Sequence, residues 1–195
     1  MINLNQKIKG CEHFIYKEVL YSSLANWFVE PKDFQLDLIH KFFQEVIEPI
    51  REEIGAMKIT SGVRDKKIME VLRAKGYMPS KRTDHSYLDP EVNQWGCGAI
   101  DFIPLAMDIK EVYKLLCKKY FYEEIDFGQL ILYDSEVKGK ESFIHISYPK
   151  NKLFTDKLEI VKSIQKEKFL QCKKGNGNSI YYIKVEFDGD IPLLK

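Results

Sequence analysis

His85, Asp101, His145 and Arg64 are the residues whose types could do chemistry together. Two imidazoles and one carboxylate make a ligand set for a single zinc ion, with the fourth position left to water. Three protein ligands are the catalytic pattern, whereas structural zinc sites are closed by four. Water on such an ion has its pKa lowered to about 7, which gives hydroxide able to attack an amide carbonyl near neutrality. Arg64 could hold a substrate carboxylate, or a developing oxyanion, through a bidentate contact. Each residue alone has an ordinary reading: His85 as a solvated loop residue, His145 as a hydrogen-bonded core residue, Arg64 as half of a surface ion pair. Asp101 says more, because a carboxylate inside the apolar run Ala99-Ile-Asp-Phe-Ile103 is costly to bury unless it is paired or bound to a metal. His13 and His40 read as surface or packing residues.

The elements around these residues can be read from periodicity. Glu12 to Asn26 reads as a short turn or helix anchored by Phe14, Val19 and Leu20. Apolar residues at Leu36, Ile39, Phe42, Phe43, Val46, Ile47 and Ile50 predict an amphipathic helix, with Asp33 as its expected N-cap. Pro49 should kink or restart it, and Gly55 should end it. A strand from Met57 to Thr60 then ends at a turn that presents Arg64. A helix follows from Asp65 to Lys75, stopped by Gly76. Residues 78–98 look irregular, and a long irregular stretch inside a compact domain tends to be functional. Ala99 to Pro104 reads as a strand, and Asp108 caps a helix from Ile109 to Lys119. Phe127 to Tyr133 and Phe143 to Tyr148 read as an antiparallel hairpin around a polar turn, Asp134 to Lys140. Beyond Pro149 come a possible helix from Lys157 to Phe169, a turn at Gly175 to Asn178, and a β run from Ser179 to Phe187. Helices mixed with antiparallel strands predict an α+β fold, a small antiparallel sheet backed by helices. The expected division is a main domain over 1–149 and a C-terminal appendage of unknown role over 150–195.

Composition narrows the classes. The 195 residues are 45% hydrophobic and 30% charged, which is the balance of a globular chain long enough for a real core. A formal net charge of +1 gives no global electrostatic case for nucleic acid or an anionic membrane. No apolar run approaches a membrane span. The first ten residues hold no hydrophobic signal core, so no classical secretion signal is expected. The four cysteines, Cys11, Cys97, Cys117 and Cys172, lack paired metal-knuckle spacing and are expected as reduced thiols.

Taken in order, these stretches resemble one family. Ile59-Thr-Ser-Gly-Val-Arg64 is similar to the Ser-Gly-Tyr-Arg signature of the zinc D-alanyl-D-alanine carboxypeptidase-like metallopeptidases, which have the Hedgehog/DD-peptidase fold. Thr83-Asp-His85 resembles that family's Ser-x-His motif, Gly98-Ala-Ile-Asp101 part of its Gly-x-Ala-x-Asp motif, and Phe143-Ile-His-Ile-Ser147 its last histidine strand. His13 to Glu18, Ser22 to Ala25 and Val46 to Arg51 resemble the lead-in of phage-type members. The likeness spans roughly residues 12–149.

The resemblance implies that His85, Asp101 and His145 are the zinc ligands and that Arg64 contacts substrate. It implies a peptidase, of carboxypeptidase or endopeptidase type, that cuts peptide stems of bacterial peptidoglycan. Many members are phage endolysins or virion-associated wall hydrolases, and the expected lack of a signal sequence fits a protein made in the host cytoplasm, then released by lysis or carried in a virion with other virion proteins as possible partners.

Two departures are visible. The family's compact His-to-Asp spacing is opened here to 16 positions, and Tyr87 and Trp95 in that insert could form an aromatic wall or block the cleft. The family's catalytic glutamate lies three residues before the last histidine, where this chain has Ser142. Asp134 or Glu141 is the expected base instead. Without a base, rates fall by roughly 10²–10⁴. The alternative function is therefore a catalytically silent member of the same fold, acting as a structural or binding protein of a phage particle.

Overall fold

A computed structural model describes residues 2–133, 142–154, 167–174 and 180–195. The chain divides into two compact units, Met1–Glu52 with Ile59–Ile100, and Glu53–Lys58 with Asp101–Lys195. The described elements are α1 (Tyr16–Leu20), β1 (Tyr21–Ser22), β2 (Trp27–Phe28), α2 (Asp33–Phe42), a π-helical turn (Phe43–Ile47), α3 (Glu48–Ile54), β3 (Met57–Ser61), α4 (Lys66–Ala74), a 3-10 turn (Asp84–Ser86), β4 (Ala99–Pro104), α5 (Ile109–Phe121), β5 (Leu130–Tyr133), β6 (Phe143–Ser147), α6 (Lys150–Leu153), β7 (Phe169–Lys174), β8 (Ile180–Lys184), β9 (Glu186–Asp188) and β10 (Ile191–Leu193). The fold is α+β around a six-stranded sheet of order β3-β4-β6-β5-β7-β8.

The sheet is mixed rather than antiparallel. β5 pairs antiparallel with β6 but parallel with β7, and β7 pairs antiparallel with β8. The return of the chain that a parallel pair needs is made by β6, which runs back between β5 and β7 in sequence. The segment from 150, read from sequence as an appendage, thus contributes two strands to this sheet. Residues 157–166 of the expected helix, the turn at 175–178 and the polar turn at 134–140 lie outside the described residues, and Phe169 begins a strand.

In the first unit the core forms on the face that the three-and-four spacing predicts. Ile39, Phe42, Phe43, Val46, Ile47 and Ile50 are essentially buried, while Leu36 is only half-buried and Leu38 takes the core position instead. Phe14 meets Phe43 edge-on at 5.2 Å, and Phe42 meets Phe43 in the same way at 6.0 Å; such pairs add about 0.5–1.5 kcal/mol beyond area burial. Two helix details differ from expectation. Asp33 is the first helical residue of α2 rather than its cap, and the Gln35 side chain accepts from the Lys32 N–H at 3.0 Å instead. Pro49 lies inside α3, preceded by the wider π turn. A proline has no N–H and its ring crowds the carbonyl four residues back, and a π turn is a recognised way to open the helix there. Asp65 caps α4 as expected, accepting from Ile68 N–H at 2.8 Å, and Gly76 leaves that helix at φ +81°.

In the second unit, Asp108 caps α5 by accepting from the N–H groups of Lys110 and Glu111. An aromatic cluster of Tyr120, Phe121, Phe127, Phe169 and Phe187 packs at centroid separations of 5.0–6.0 Å. Lys168 places its ammonium 3.9 Å from the Tyr120 ring centroid, a cation–π contact. Among the described residues, no helix is long and apolar enough to cross a membrane.

Candidate metal centre

His85 sits in the 3-10 turn after Thr83, whose hydroxyl accepts from the His85 N–H at 3.3 Å. It is not solvated: only 2% of its surface is exposed. Its Nδ1 lies 2.8 Å from the Gly62 carbonyl oxygen. A carbonyl can only accept, so this bond puts the proton on Nδ1 and the ring's lone pair on Nε2. The backbone closes the grip, because Arg64 N–H donates to the His85 carbonyl at 2.8 Å. Thus the Ser61-Gly-Val-Arg64 turn holds His85 from two sides. Metal-bound histidines typically have such a carbonyl partner on the other nitrogen, which fixes both tautomer and ring orientation.

The insert after His85 is a run of tight turns. Asp89 N–H donates to Ser86 O, Leu88 N–H to Gly96 O, and Gly98 N–H to Asp84 O. The Gln35 side chain donates to Ser86 O at 3.2 Å. Tyr87 has no exposed surface, packs 6.5 Å from the Phe42 ring and donates its hydroxyl to Ala99 O at 3.0 Å. It is therefore a core residue and not part of an aromatic wall over a cleft. Trp95 is half-buried.

Asp101, on β4, and His145, on β6, are each 8% exposed. His145 Nδ1 lies 2.8 Å from Asp101 Oδ1. The buried carboxylate that stood out in the sequence thus has an imidazole against it. His145, Asp101 and His85 each offer one ligand atom, and these atoms all lie within 4.8 Å of one another. Among the described residues this is the group of His, Cys, Asp and Glu side chains able to hold a metal ion. The donor chemistry fits. A tetrahedral ion with bonds of about 2.0–2.2 Å needs donors ~3.4 Å apart, and these atoms lie within 4.8 Å of one another. Two nitrogens and one oxygen leave one position of a tetrahedral ion for a non-protein group.

Comparison with protein-family models, curated proteins and solved structures gave no match.

Arg64 is half-buried, and its Nε and Nη2 donate to Ser61 Oγ at 3.1 and 2.9 Å. With Ser22, Leu24, Thr60 and Ser61 it lines a small cleft. Asp134 and Glu141, the two expected bases, lie outside the described residues. Sequence reasoning missed three aromatic residues, Phe143, Tyr133 and Tyr182, on the sheet face that carries His145. Tyr133 stacks on Phe143 at 4.4 Å with planes 11° apart, and its hydroxyl lies 3.1 Å from that of Tyr182. Burial pushes the Tyr133 phenol well above its ordinary value, and Tyr182, Asp101 and Cys172 add to that effect. The available signal was strand alternation, since Tyr133 and Phe143 sit two residues from Ile131 and His145 on paired strands.

Proposed function

We propose that this chain is a zinc-dependent peptidase acting on peptide stems of bacterial peptidoglycan. The observation that carries the reading is the buried His85–Asp101–His145 group, with donor atoms within 4.8 Å of one another. Imidazole and carboxylate suit zinc, and three protein ligands leave room for chemistry. Support for the substrate class comes from the ordered motif resemblance along residues 12–149.

The roles follow from the residues. When bound, zinc supplies a Lewis acid that polarises a carbonyl and makes water acidic enough to act near neutral pH. His85, with its Nδ1 proton committed to Gly62 O, presents Nε2 as a donor. Asp101 and His145 contribute the oxygen and the second nitrogen. Arg64 holds a carboxylate of the substrate, a contact for which its planar fork is suited. Asp134 or Glu141 takes the proton released on attack and returns it to the leaving amine.

The test combines metal analysis of the purified chain with a digest of purified peptidoglycan. One zinc per chain, with release of peptide fragments that a chelator abolishes and zinc restores, is the expected result. No zinc, together with a His85→Ala variant that behaves like the parent, overturns the reading. Zinc binding without cleavage overturns the peptidase and leaves the alternative, a silent structural or binding protein of a phage particle. The Asp134→Asn and Glu141→Gln variants then identify the base, since the correct one loses roughly 10²–10⁴ in rate.

A further inference from the structure

The sheet register assigns more residues to the metal centre's surroundings. Side chains alternate across a strand, and directly paired residues share a face. His145 pairs with Ile131, and Phe143 pairs with Tyr133. On the parallel side Ile131 pairs with Leu170, and Tyr133 with Cys172. Cys172 in turn pairs with Tyr182. His145, Ile131 and Leu170 therefore form one row across the sheet, and Phe143, Tyr133, Cys172 and Tyr182 form the next row on the same face. The alternate residues Leu130, Leu132, Ile144 and Ile146 point the other way and are fully buried.

Packing within the second row agrees with this register. Ile131 and Cys172 are buried together, with Tyr133 and Leu170 against them. The Phe143 and Tyr133 rings lie nearly parallel, and Tyr182 meets Tyr133 edge-on at 6.1 Å, with the two hydroxyls 3.1 Å apart. Tyr182 is 49% exposed, so a face of this row reaches solvent. The aromatic row thus extends across three further strands, and the apolar floor across two, ending where Leu170 pairs with Lys184.

We propose that Phe143, Tyr133 and Tyr182 form a specificity wall beside the metal centre, which takes the uncharged apolar or aromatic substituent of an acyl ligand held at the metal. The proposal rests on the metal reading above and deepens it. The floor of Ile131 and Leu170 carries no charge, and Lys184, next in that row, has its ammonium 3.4 Å from the Glu167 carboxylate. The rings offer flat apolar faces with polar edges, which suit a planar or apolar group next to a carbonyl. These are positioning residues, since they are assigned no bond to the metal.

Two hydroxamates test the wall without any need for turnover. Acetohydroxamate and phenylacetohydroxamate bind a metal through the same two oxygens and differ in the substituent. They are titrated against the full chain loaded with cobalt(II), whose visible spectrum reports each complex. The expected result is that the phenyl compound binds about tenfold more tightly, the order of a well-placed aromatic contact. That ratio should fall to within about twofold in Tyr182→Ala and in Phe143→Ala, and should survive in Tyr182→Phe, which keeps the ring. Cobalt stoichiometry and acetohydroxamate affinity should stay unchanged in Tyr182→Ala, which shows that the metal centre is intact. Equal affinities of the parent chain for the two probes, or a ratio that survives both alanine variants, overturns the wall alone. A chain that takes up no cobalt overturns the metal reading and the wall with it.

Discussion

Replacing Gly62 by alanine tests whether the turn before Arg64 truly holds His85. A methyl at this position would lie 2.1 Å from Val19 O and 2.7 Å from the Val19 C and Cα atoms. Those are backbone atoms of a residue only 1% exposed, so they cannot swing aside as a side-chain tip would. Either the Val63 N–H bond to Val19 O, now 2.8 Å, is stretched, or Gly62 moves and carries its carbonyl away from His85 Nδ1. Overpacking of this kind costs about 1–3 kcal/mol and a lost backbone hydrogen bond about 1 more, so destabilisation of roughly 2–4 kcal/mol is expected. At about 2–4 °C per kcal/mol for a chain of this size, the melting temperature should fall by roughly 5–15 °C. Zinc affinity, measured by competition with a chromophoric chelator, should fall by about 10–100-fold, as it does when an outer partner of a metal ligand is lost. Gly76→Ala is the control. That glycine has φ +81° and nothing within 4 Å of an added methyl, so it should lose about 1 kcal/mol of stability and no zinc affinity. A Gly62→Ala chain that melts within a degree of the parent and keeps its zinc affinity would refute the proposed grip.

His85→Ala, Asp101→Ala and His145→Ala should each leave the dialysed chain with little zinc by elemental analysis, and retention of full zinc by any of them removes that residue from the ligand set. Adding zinc to the metal-free parent should raise its stability by about 2.7 kcal/mol at a free concentration one hundred times Kd, seen as a rise in melting temperature that a chelator reverses. Burial, then the charge of Lys9, holds His40 below its ordinary 6.5, with Asp37 opposing. As pH drops through that value the unfolded chain takes up a proton that the folded chain still refuses, so stability falls on the acid side. His40→Gln should flatten that part of the pH–stability curve, and an unchanged slope would count against it. Cys11 is pushed up to about 12 by burial and by Glu48, and all four cysteines are buried thiols outside any disulfide. Ellman's reagent should therefore label none of them quickly in the native chain and all four in guanidinium, and rapid native labelling of Cys11 would contradict this.

What the sequence showed depended on how local the cause was. α4 and α5 were legible because Asp65 and Asp108 cap them through atoms two or three residues away. β4 and β6 were legible as apolar runs, and Asp101 stood out as a carboxylate inside one. The π turn was harder to see, because it reflects how the helix accommodates Pro49 after a continuous apolar face. Three features depend on pairing between distant segments and left no local trace. One is the Gly62 carbonyl behind His85, and another is the parallel neighbour β7. The third is the row of rings from Phe143 to Tyr182. Tyr87 misled for a related reason: its stretch is polar, yet a backbone at φ +48° turns the ring inward to Phe42.

The two backbone contacts to His85 have a consequence for binding entropy. A histidine that must be ordered by an incoming ion loses rotamer freedom at that moment, and the loss weakens binding. Here the ring is clamped by Gly62 O and its own carbonyl by Arg64 N–H before any ion is present. The cost of ordering that side chain falls on folding rather than on ion capture. Ion uptake at His85 then requires stripping water from the ion more than ordering that side chain.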